Sequence, residues 1–168
     1  MKNFQIEAID GKKYWIARSI AVAGFCFKLD SKTGKFSVLA NKRGPNTPDF
    51  QGYWNCPCGY LDFDETLAEA CSREIWEECG LKIDPAKLSL FFVQHSPLEN
   101  RQNVTHRFIT ILNANEINEI SIGAGGEKNE VDEVKWITLT EIDNYQWAFN
   151  HGEIIKTLQD KIHEYVNV

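Results

Sequence analysis

The sequence has little that would suit a membrane, a secretory pathway or a polyanion. No stretch approaches the roughly 18 consecutive apolar residues of a membrane-spanning helix, and the opening residues MKNFQIEAID contain no apolar run like that of a signal peptide. The formal net charge is −6, so the chain lacks the basic excess of most nucleic-acid-binding domains. We therefore expect a soluble, cytoplasmic protein that binds neither a membrane nor polymeric nucleic acid.

The cysteines lack the spacing of a zinc site or a disulfide framework. Cys56 and Cys58 are separated by one residue, no second Cys or His pair follows them, and the four histidines are scattered. The five cysteines are odd in number and lie within apolar segments. We therefore expect reduced thiols and no zinc.

The pattern of apolar residues predicts one α/β domain over residues 1–168. With 168 residues and 43% hydrophobic content, the chain is long enough for a substantial core. Alternating runs around Asp10-Gly11 predict an N-terminal hairpin extension over residues 1–17. Further strands are predicted at SIAVAGFCFKL, FSVLANKR, KLSLFFVQ, THRFITIL and VDEVKWI, with loops at 44–53 and in the glycine-rich 123–130.

Two helices complete the predicted fold. A helix is predicted over residues 66–79, because Thr66 and Glu69 form a capping box at its start and Gly80 ends it. Its core-facing stripe recurs every four residues, at Leu67, Cys71, Ile75 and Cys79. A final helix is predicted from the four-residue spacing of Ile154, Leu158, Ile162 and Val166. Strands interleaved with two helices favour an α/β/α sandwich around a mixed sheet.

The first helix gathers like charge on one face. Glu74, Glu77 and Glu78 stand at i, i+3 and i+4, where each like-charge pair costs about 0.2–0.5 kcal/mol. They also lie in the last turns, where the helix dipole disfavours anions. Arg73, four residues from both Glu69 and Glu77, supplies one counter-charge, and the face is either a solvated acidic surface or a site for something positive.

Residues 58–81, CGYLDFDETLAEACSREIWEECGL, contain fixed positions at Gly59, Glu65, Arg73-Glu74, Glu77-Glu78 and Gly80. This segment resembles the Nudix box, here residues 59–81, of the Nudix hydrolase (MutT-like) family, and a looser similarity extends over about residues 18–165. The resemblance implies a Nudix-type α/β/α sandwich and a divalent-metal-dependent pyrophosphohydrolase. Hard cations held by carboxylates neutralise phosphate oxygens while water attacks, so Mg²⁺ or Mn²⁺ is the expected cofactor.

The resemblance also assigns roles to individual residues. Glu77 and Glu78 are the principal metal ligands, Glu74 is a further ligand or the base, and Arg73 orients a carboxylate. The backbone carbonyl of Cys58 faces the metal, although this family often has glycine at that position. A fourth catalytic carboxylate is expected at Glu130, with Glu127 and Glu133 as rivals.

Binding of the substrate requires basic and aromatic partners outside the box. Arg43 and Arg107 are candidates for phosphate oxygens, and Tyr53 and Trp54 for stacking on a base or sugar. The expected substrate is a nucleoside diphosphate linked to another group: a nucleotide sugar or ADP-ribose-like compound, a nucleoside triphosphate or a dinucleoside polyphosphate. The alternatives are a Nudix-scaffold diphosphate isomerase and a non-catalytic nucleotide sensor. The N-terminal hairpin is either a homodimer edge or an extra pair of strands on the sheet.

Overall fold

The computed structural model describes residues 2–113, 117, 119–122 and 129–165. Its α-helices are α1 (Leu67–Cys79), α2 (His151–Gln159) and α3 (Ile162–Tyr165), with 3₁₀ turns at Pro85–Lys87 and Leu139–Asn144. Its strands are β1 (Phe4–Glu7), β2 (Lys13–Ile16), β3 (Ser19–Leu29), β4 (Phe36–Arg43), β5 (Trp54–Asn55), β6 (Cys58–Tyr60), β7 (Ser89–Gln94), β8 (Asn103–Leu112) and β9 (Val131–Thr138).

Seven of these strands form one sheet, and the prediction of a mixed sheet is confirmed. β3 runs parallel to β8 along ten residue pairs and antiparallel to β4 and β6. β4 pairs with β3 only through residues 36–38, while its other half pairs with β5 through Asn41 and Lys42. β3 and β4 therefore separate, and the short strands β5 and β6 lie in the opening between them.

The sheet is covered on both faces by helices. Val22 and Cys26 of β3 are buried in one core cluster with residues of α1, whereas Phe25 and Phe27 are buried in a second cluster with residues of α2. Alternate side chains of a strand point to opposite faces, so β3 contributes to both cores. The predicted α/β/α sandwich is confirmed.

The helix α1 begins and ends where its capping residues predict. The Thr66 side chain accepts a hydrogen bond from the Glu69 amide, and the Glu69 carboxylate accepts one from the Thr66 amide. Gly80 follows the helix with φ 69°, a left-handed conformation that glycine adopts without strain. The predicted stripe faces the core: Cys71, Ile75 and Cys79 are buried, and Leu67 packs against them.

The C-terminal helix is interrupted, so the prediction of one continuous helix is wrong. α2 ends at Gln159, and the Lys161 amide then bonds to the Leu158 carbonyl three residues back, in a tighter turn. This turn keeps Ile162, in α3, only 1% exposed. Val166, the last residue of the predicted stripe, lies outside the described residues.

The N-terminal hairpin is present but does not extend the central sheet. β1 and β2 pair only with each other, from Phe4–Ile16 to Glu7–Lys13, and all eight of their residues are exposed. The interpretation of this hairpin as additional strands of the sheet is therefore wrong. Within the described segments, no helix has the length and apolar character needed to cross a membrane.

The contact between α1 and β3 depends on Gly24. A Cβ atom at Gly24 would lie 2.7 Å from Cδ1 of Ile75 and 3.1 Å from Sγ of Cys71. We expect Gly24→Ala to lower the free energy of unfolding by about 1–3 kcal/mol, because the added methyl overpacks this contact. Urea denaturation measures the change, and Gly24→Ala combined with Ile75→Val should recover part of it. Unchanged stability of the single variant would contradict this packing.

Candidate active site

One arginine holds the acidic face of α1 together. Arg73 donates to both oxygens of Glu65, at 3.0 and 2.7 Å. Its Nη1 donates to Oε1 of Glu74 and to Oε2 of Glu77, each at 2.8 Å, and its Nη2 donates to the Tyr60 carbonyl at 2.9 Å. A single planar cation therefore fixes two carboxylates of the helix face and ties them to the segment that precedes the helix.

The Glu74 carboxylate lies directly against Gly59 of β6. A Cβ atom on Gly59 would fall 2.2 Å from Oε1 of Glu74, so no other residue fits without displacing the carboxylate. Burial raises the pKa of Glu74 to about 7, although Arg73 opposes that shift. Without a further positive charge, the acid at this position is therefore half protonated near neutral pH.

Glu78 is the most buried acid of the face, at 7% exposure. Its Oε2 accepts hydrogen bonds from the Asn41 side-chain amide at 2.5 Å and from the Cys58 backbone N–H at 3.1 Å. Burial, and next the charge of Glu74, raises the pKa of Glu78 well above its usual range. Sequence reasoning missed Asn41, whose only signal is that it is an amide in an otherwise apolar part of β4.

Glu74, Glu77 and Glu78, the three carboxylates of the acidic face, share a pattern of hydrogen bonds. Within the described part of the chain, the hydrogen bonds use Oε1 of Glu74, Oε2 of Glu77 and Oε2 of Glu78. One oxygen of each group is left over, and carboxylate oxygens are the donors that Mg²⁺ and Mn²⁺ prefer.

The described residues do not form a ready-made metal cage. Among them, no three acidic, thiol or imidazole side chains stand close enough to hold one ion. Arg73 Nη1 lies between Glu74 and Glu77 and supplies the positive charge there. The donor chemistry therefore fits a hard divalent cation, and binding one requires these side chains to move towards it.

Cys58 contributes to this site through its backbone amide. Its side chain accepts a hydrogen bond from the Asn55 amide at 3.4 Å. Burial, and next the charge of Glu78, raises the pKa of the Cys58 thiol, which keeps the sulfur protonated. The role predicted for the Cys58 carbonyl towards a metal stays a prediction.

Of the two described candidates for a fourth carboxylate, Glu130 and Glu133, it is Glu130 whose charge acts on the acids of α1. Its charge contributes to the raised pKa of both Glu74 and Glu78, and its carbonyl accepts from the Gly44 amide at 2.7 Å. Glu133 is exposed and pairs with Lys135 at 3.1 Å. Glu127 lies outside the described residues.

The candidate substrate residues on the loop side differ in their surroundings. Arg43 pairs with Asp49 at 2.9 Å, and its guanidinium lies 4.8 Å from the Phe149 ring centroid. Tyr53 is half-buried and its ring meets that of Phe50 edge to face. Both candidates lie where the loop over residues 44–53 approaches the start of α2.

Trp54 lies in the core and not at the surface where a ligand would stack. It is 7% exposed and belongs to the cluster beneath α2. Its ring meets Tyr145 edge to face at 5.4 Å, and the Lys135 ammonium lies 5.0 Å from its centroid. The stacking role predicted for Trp54 therefore has no support in its packing.

Arg107 lies on β8, on the face covered by α2, and is 8% exposed. Its Nη2 donates to Oδ1 of Asn150 at 3.3 Å, and its Nε is buried without a hydrogen-bond partner. The neighbouring His151 is 3% exposed and accepts a hydrogen bond from the Cys56 amide at 3.0 Å. Sequence reasoning missed His151, because nothing along the chain relates it to Cys56, 95 residues away.

Strained backbone is concentrated beside these residues. Phe50, Phe149 and Asn150 have φ values of 51°, 54° and 57°, a left-handed conformation that costs non-glycine residues about 1–3 kcal/mol each. The rings of Phe50 and Phe149 meet at 5.0 Å. The strain therefore lies where the 44–53 loop meets the start of α2.

Comparisons with known proteins agree on one family. The phosphatase NudJ of Escherichia coli K12 is 29% identical over 109 residues, which are 65% of this chain and 63% of that relative. The NUDIX domain of Shewanella oneidensis NrtR, solved with ADP-ribose, is similar in structure, with a TM-score of 0.70 at 20% identity. The match spans 88% of this chain and 90% of that one.

A third similar structure is the bifunctional NMN adenylyltransferase/ADP-ribose pyrophosphatase of Francisella tularensis, solved with AMP and a manganese ion. Its TM-score is 0.69 at 21% identity, and the match spans 86% of this chain and 42% of that one. At 20% and 21% identity, these two similar structures show a shared fold. The model of the NUDIX domain matches residues 19–158, most of the sheet and both longer helices. The chain therefore belongs to the NUDIX domain family.

Proposed function

We propose that this chain is a divalent-metal-dependent pyrophosphohydrolase that cleaves the diphosphate of a nucleoside diphosphate linked to another group. The observation that carries the proposal is the arrangement on α1. Glu74, Glu77 and Glu78 each have one oxygen anchored by a hydrogen bond and one that bonds to no other described residue. An acidic face held in this way is suited to a cation that binds together with phosphate oxygens.

Glu77, Glu78 and Glu74 would hold Mg²⁺ or Mn²⁺, with the Cys58 carbonyl as a further ligand. Such an ion neutralises phosphate oxygens and lowers the pKa of bound water. Arg73 keeps Glu74 and Glu77 oriented, and Asn41 does the same for Glu78. The Francisella tularensis structure, which shares this fold over 42% of its length, was solved with AMP and a manganese ion, and this supports the choice of a divalent cation and a nucleotide.

Two carboxylates are candidates for the proton acceptor. Glu74 has a pKa near 7 in the absence of metal, which is close to the value that suits a general base at neutral pH. Glu130, which directly precedes β9, acts on Glu74 and Glu78 through its charge. Glu74 therefore serves as a ligand or as the base, and Glu130 is the second candidate for the base.

The substrate would extend from α1 towards the loop over residues 44–53 and the start of α2. Arg43 and Arg107 provide cations for its phosphates, and Tyr53 provides a partly exposed ring. ADP-ribose in the Shewanella oneidensis structure and AMP in the Francisella tularensis structure are small nucleotides of the expected kind. Nucleotide sugars, nucleoside triphosphates and dinucleoside polyphosphates are the classes to screen.

No observation favours the isomerase or the sensor. The raised pKa of the Cys58 thiol disfavours cysteine chemistry, and the complete set of acids on α1 is more than a sensor requires. The hairpin β1–β2 stays a candidate homodimer edge, and the cytoplasmic location stays a prediction from the sequence.

Mg²⁺ should stabilise the protein through the acidic face. At a concentration about 100 times Kd, a bound ion adds about 2.7 kcal/mol to the free energy of unfolding. The pKa of Glu74 is raised in the folded state, so the metal-free protein loses stability as pH rises from the ordinary glutamate range through about 7. Because protons compete with the ion, the rise in Tm on adding Mg²⁺ should be larger at pH 8 than at pH 5.5.

Differential scanning fluorimetry with and without Mg²⁺ measures this effect. Glu78→Gln should lose most of the Tm rise, whereas Glu133→Gln, an exposed acid paired with Lys135, should retain it. Equal Tm shifts in both variants would place the metal elsewhere.

The kinetic test uses whichever nucleotide the screen identifies. We expect Glu77→Gln and Glu78→Gln to weaken Mg²⁺ binding and nearly abolish hydrolysis, because charge neutralisation is lost. Glu130→Gln should lower the rate with a smaller effect on the Mg²⁺ dependence, and loss of a base alone lowers a rate by about 10²–10⁴-fold. Glu74→Gln should raise the Mg²⁺ concentration needed if Glu74 is a metal ligand, and should lower the rate without that change if Glu74 is the base.

Glu133→Gln is again the matched control, with rates close to wild type. Wild-type rates and unchanged Mg²⁺ dependence in both Glu77→Gln and Glu78→Gln would overturn the proposed function.

A further inference from the structure

Arg107 is a buried cation whose charge is not neutralised by direct contact. It is 8% exposed, and its Nε has no hydrogen-bond partner. Among the described residues its contacts are with neutral groups: Nη2 donates to Asn150, and the guanidinium lies 5.4 Å from the Phe92 ring centroid. The charge of Glu99 acts on it, but no acid within the described residues forms an ion pair with it, and the Glu99 carboxylate accepts from the Gln94 amide. A buried charge without a partner is unfavourable, so this arrangement fits an anion that the protein binds.

A second hydrogen-bond donor, the imidazole of His151, lies near Arg107. His151 accepts from the Cys56 amide through Nδ1, which places the proton of the neutral ring on Nε2. Burial, and then the charges of Arg107 and Arg43, keeps the imidazole neutral by lowering its pKa to about 3. Nε2–H is therefore a neutral donor that lies within the field of both arginines.

His151 is also the first residue of α2, a helix of nine residues whose N-cap, Asn150, makes no side-chain capping bond. The His151 amide donates to the Ala148 carbonyl at 3.0 Å, whereas the amides that follow it in the first turn lack intrahelical acceptors and favour an anion. The guanidinium, the imidazole N–H and the helix start together supply donors and positive potential. A phosphate group, with three acceptor oxygens, satisfies such a set of donors.

The donor cluster lies on the α2 side of the sheet, and residues 56–58 connect it to the acidic face of α1. The Cys56 amide bonds to His151, and the Cys58 amide bonds to Glu78. These amides are two residues apart, with a bend at Pro57 between them, so they lie at most about 7 Å from each other. A ligand whose first anionic group binds at α1 can therefore also bind the donor cluster only if it carries a second anionic group a few atoms away from the first.

We propose that Arg107 and His151, at the start of α2, bind a phosphate of the substrate beyond the diphosphate that lies on α1. The preferred substrates are then nucleoside triphosphates or dinucleoside polyphosphates, and not nucleotide sugars, whose sugar offers no charge at this position. The substrate preference rests on the proposed function, whereas the binding of an anion at the subsite can be tested without metal.

The binding test uses inorganic tripolyphosphate in EDTA, with the full chain. Tripolyphosphate should raise the Tm of the wild type, and Arg107→Met should lose that rise. Because Arg107→Met replaces an unpaired buried cation by an apolar side chain, its Tm without ligand should equal or exceed that of the wild type. Arg101→Met is the matched control, since Arg101 is exposed on the turn before β8 and should retain the full response.

A lower Tm of Arg107→Met without ligand would assign Arg107 a structural role and contradict the subsite. Absence of stabilisation of the wild type by tripolyphosphate, or retention of it in Arg107→Met, would also contradict it. His151→Gln keeps a side-chain donor but changes its position, and it should weaken tripolyphosphate binding with less effect than Arg107→Met.

The kinetic test compares kcat/KM for a nucleoside triphosphate and for ADP-ribose, each with Mg²⁺. Arg107→Met should lower the value for the triphosphate roughly 10- to 100-fold and the value for ADP-ribose less than threefold, because only the triphosphate reaches the subsite. Equal losses for both, or no loss, would overturn the inference. If the wild type hydrolyses neither compound nor any other nucleotide, the proposed function fails, and tripolyphosphate binding in EDTA still decides the subsite.

Discussion

The site depends on the hydrogen bonds that Arg73 makes to Glu65, Glu74 and Glu77. Without that guanidinium, the acids of α1 would repel one another in a partly buried position. The segment before the helix, which Arg73 holds through Glu65 and the Tyr60 carbonyl, would also lose its attachment to the helix. Arg73 reduces this repulsion and also orients the carboxylates, so that each keeps an oxygen for another cation. Stability and function therefore place the same requirement on this side chain.

The helix α1 serves two purposes because its faces differ. Cys71, Ile75 and Cys79 pack on β3, where the absence of a side chain at Gly24 permits close approach. A similar absence at Gly59 makes room for the Glu74 carboxylate on the adjoining face. The rigid contact with the sheet thus fixes where the acids stand relative to β6, which is what a site for a charged ligand requires.

Local patterns explain most of what the sequence predicted correctly. The capping box at Thr66, the spacing of apolar residues and the glutamates of α1 are features of short segments, and they located the helix and its acidic face. Contacts between distant residues carry no such signal. Asn41 meets Glu78 across 37 positions and His151 meets Cys56 across 95, because the sheet brings these residues together. The burial of Trp54 has no signal along the chain for the same reason, since it depends on residues of the C-terminal region.

The central claim is that the free oxygens of Glu74, Glu77 and Glu78 bind a divalent cation. The most direct test is a crystal structure of the protein with Mn²⁺, in which anomalous scattering identifies the ion independently of the surrounding density. The account predicts an anomalous peak about 2.0–2.3 Å from carboxylate oxygens of this face, with Asn41 still bonded to Glu78. A well-ordered acidic face without such a peak, at a Mn²⁺ concentration that supports hydrolysis, would contradict it.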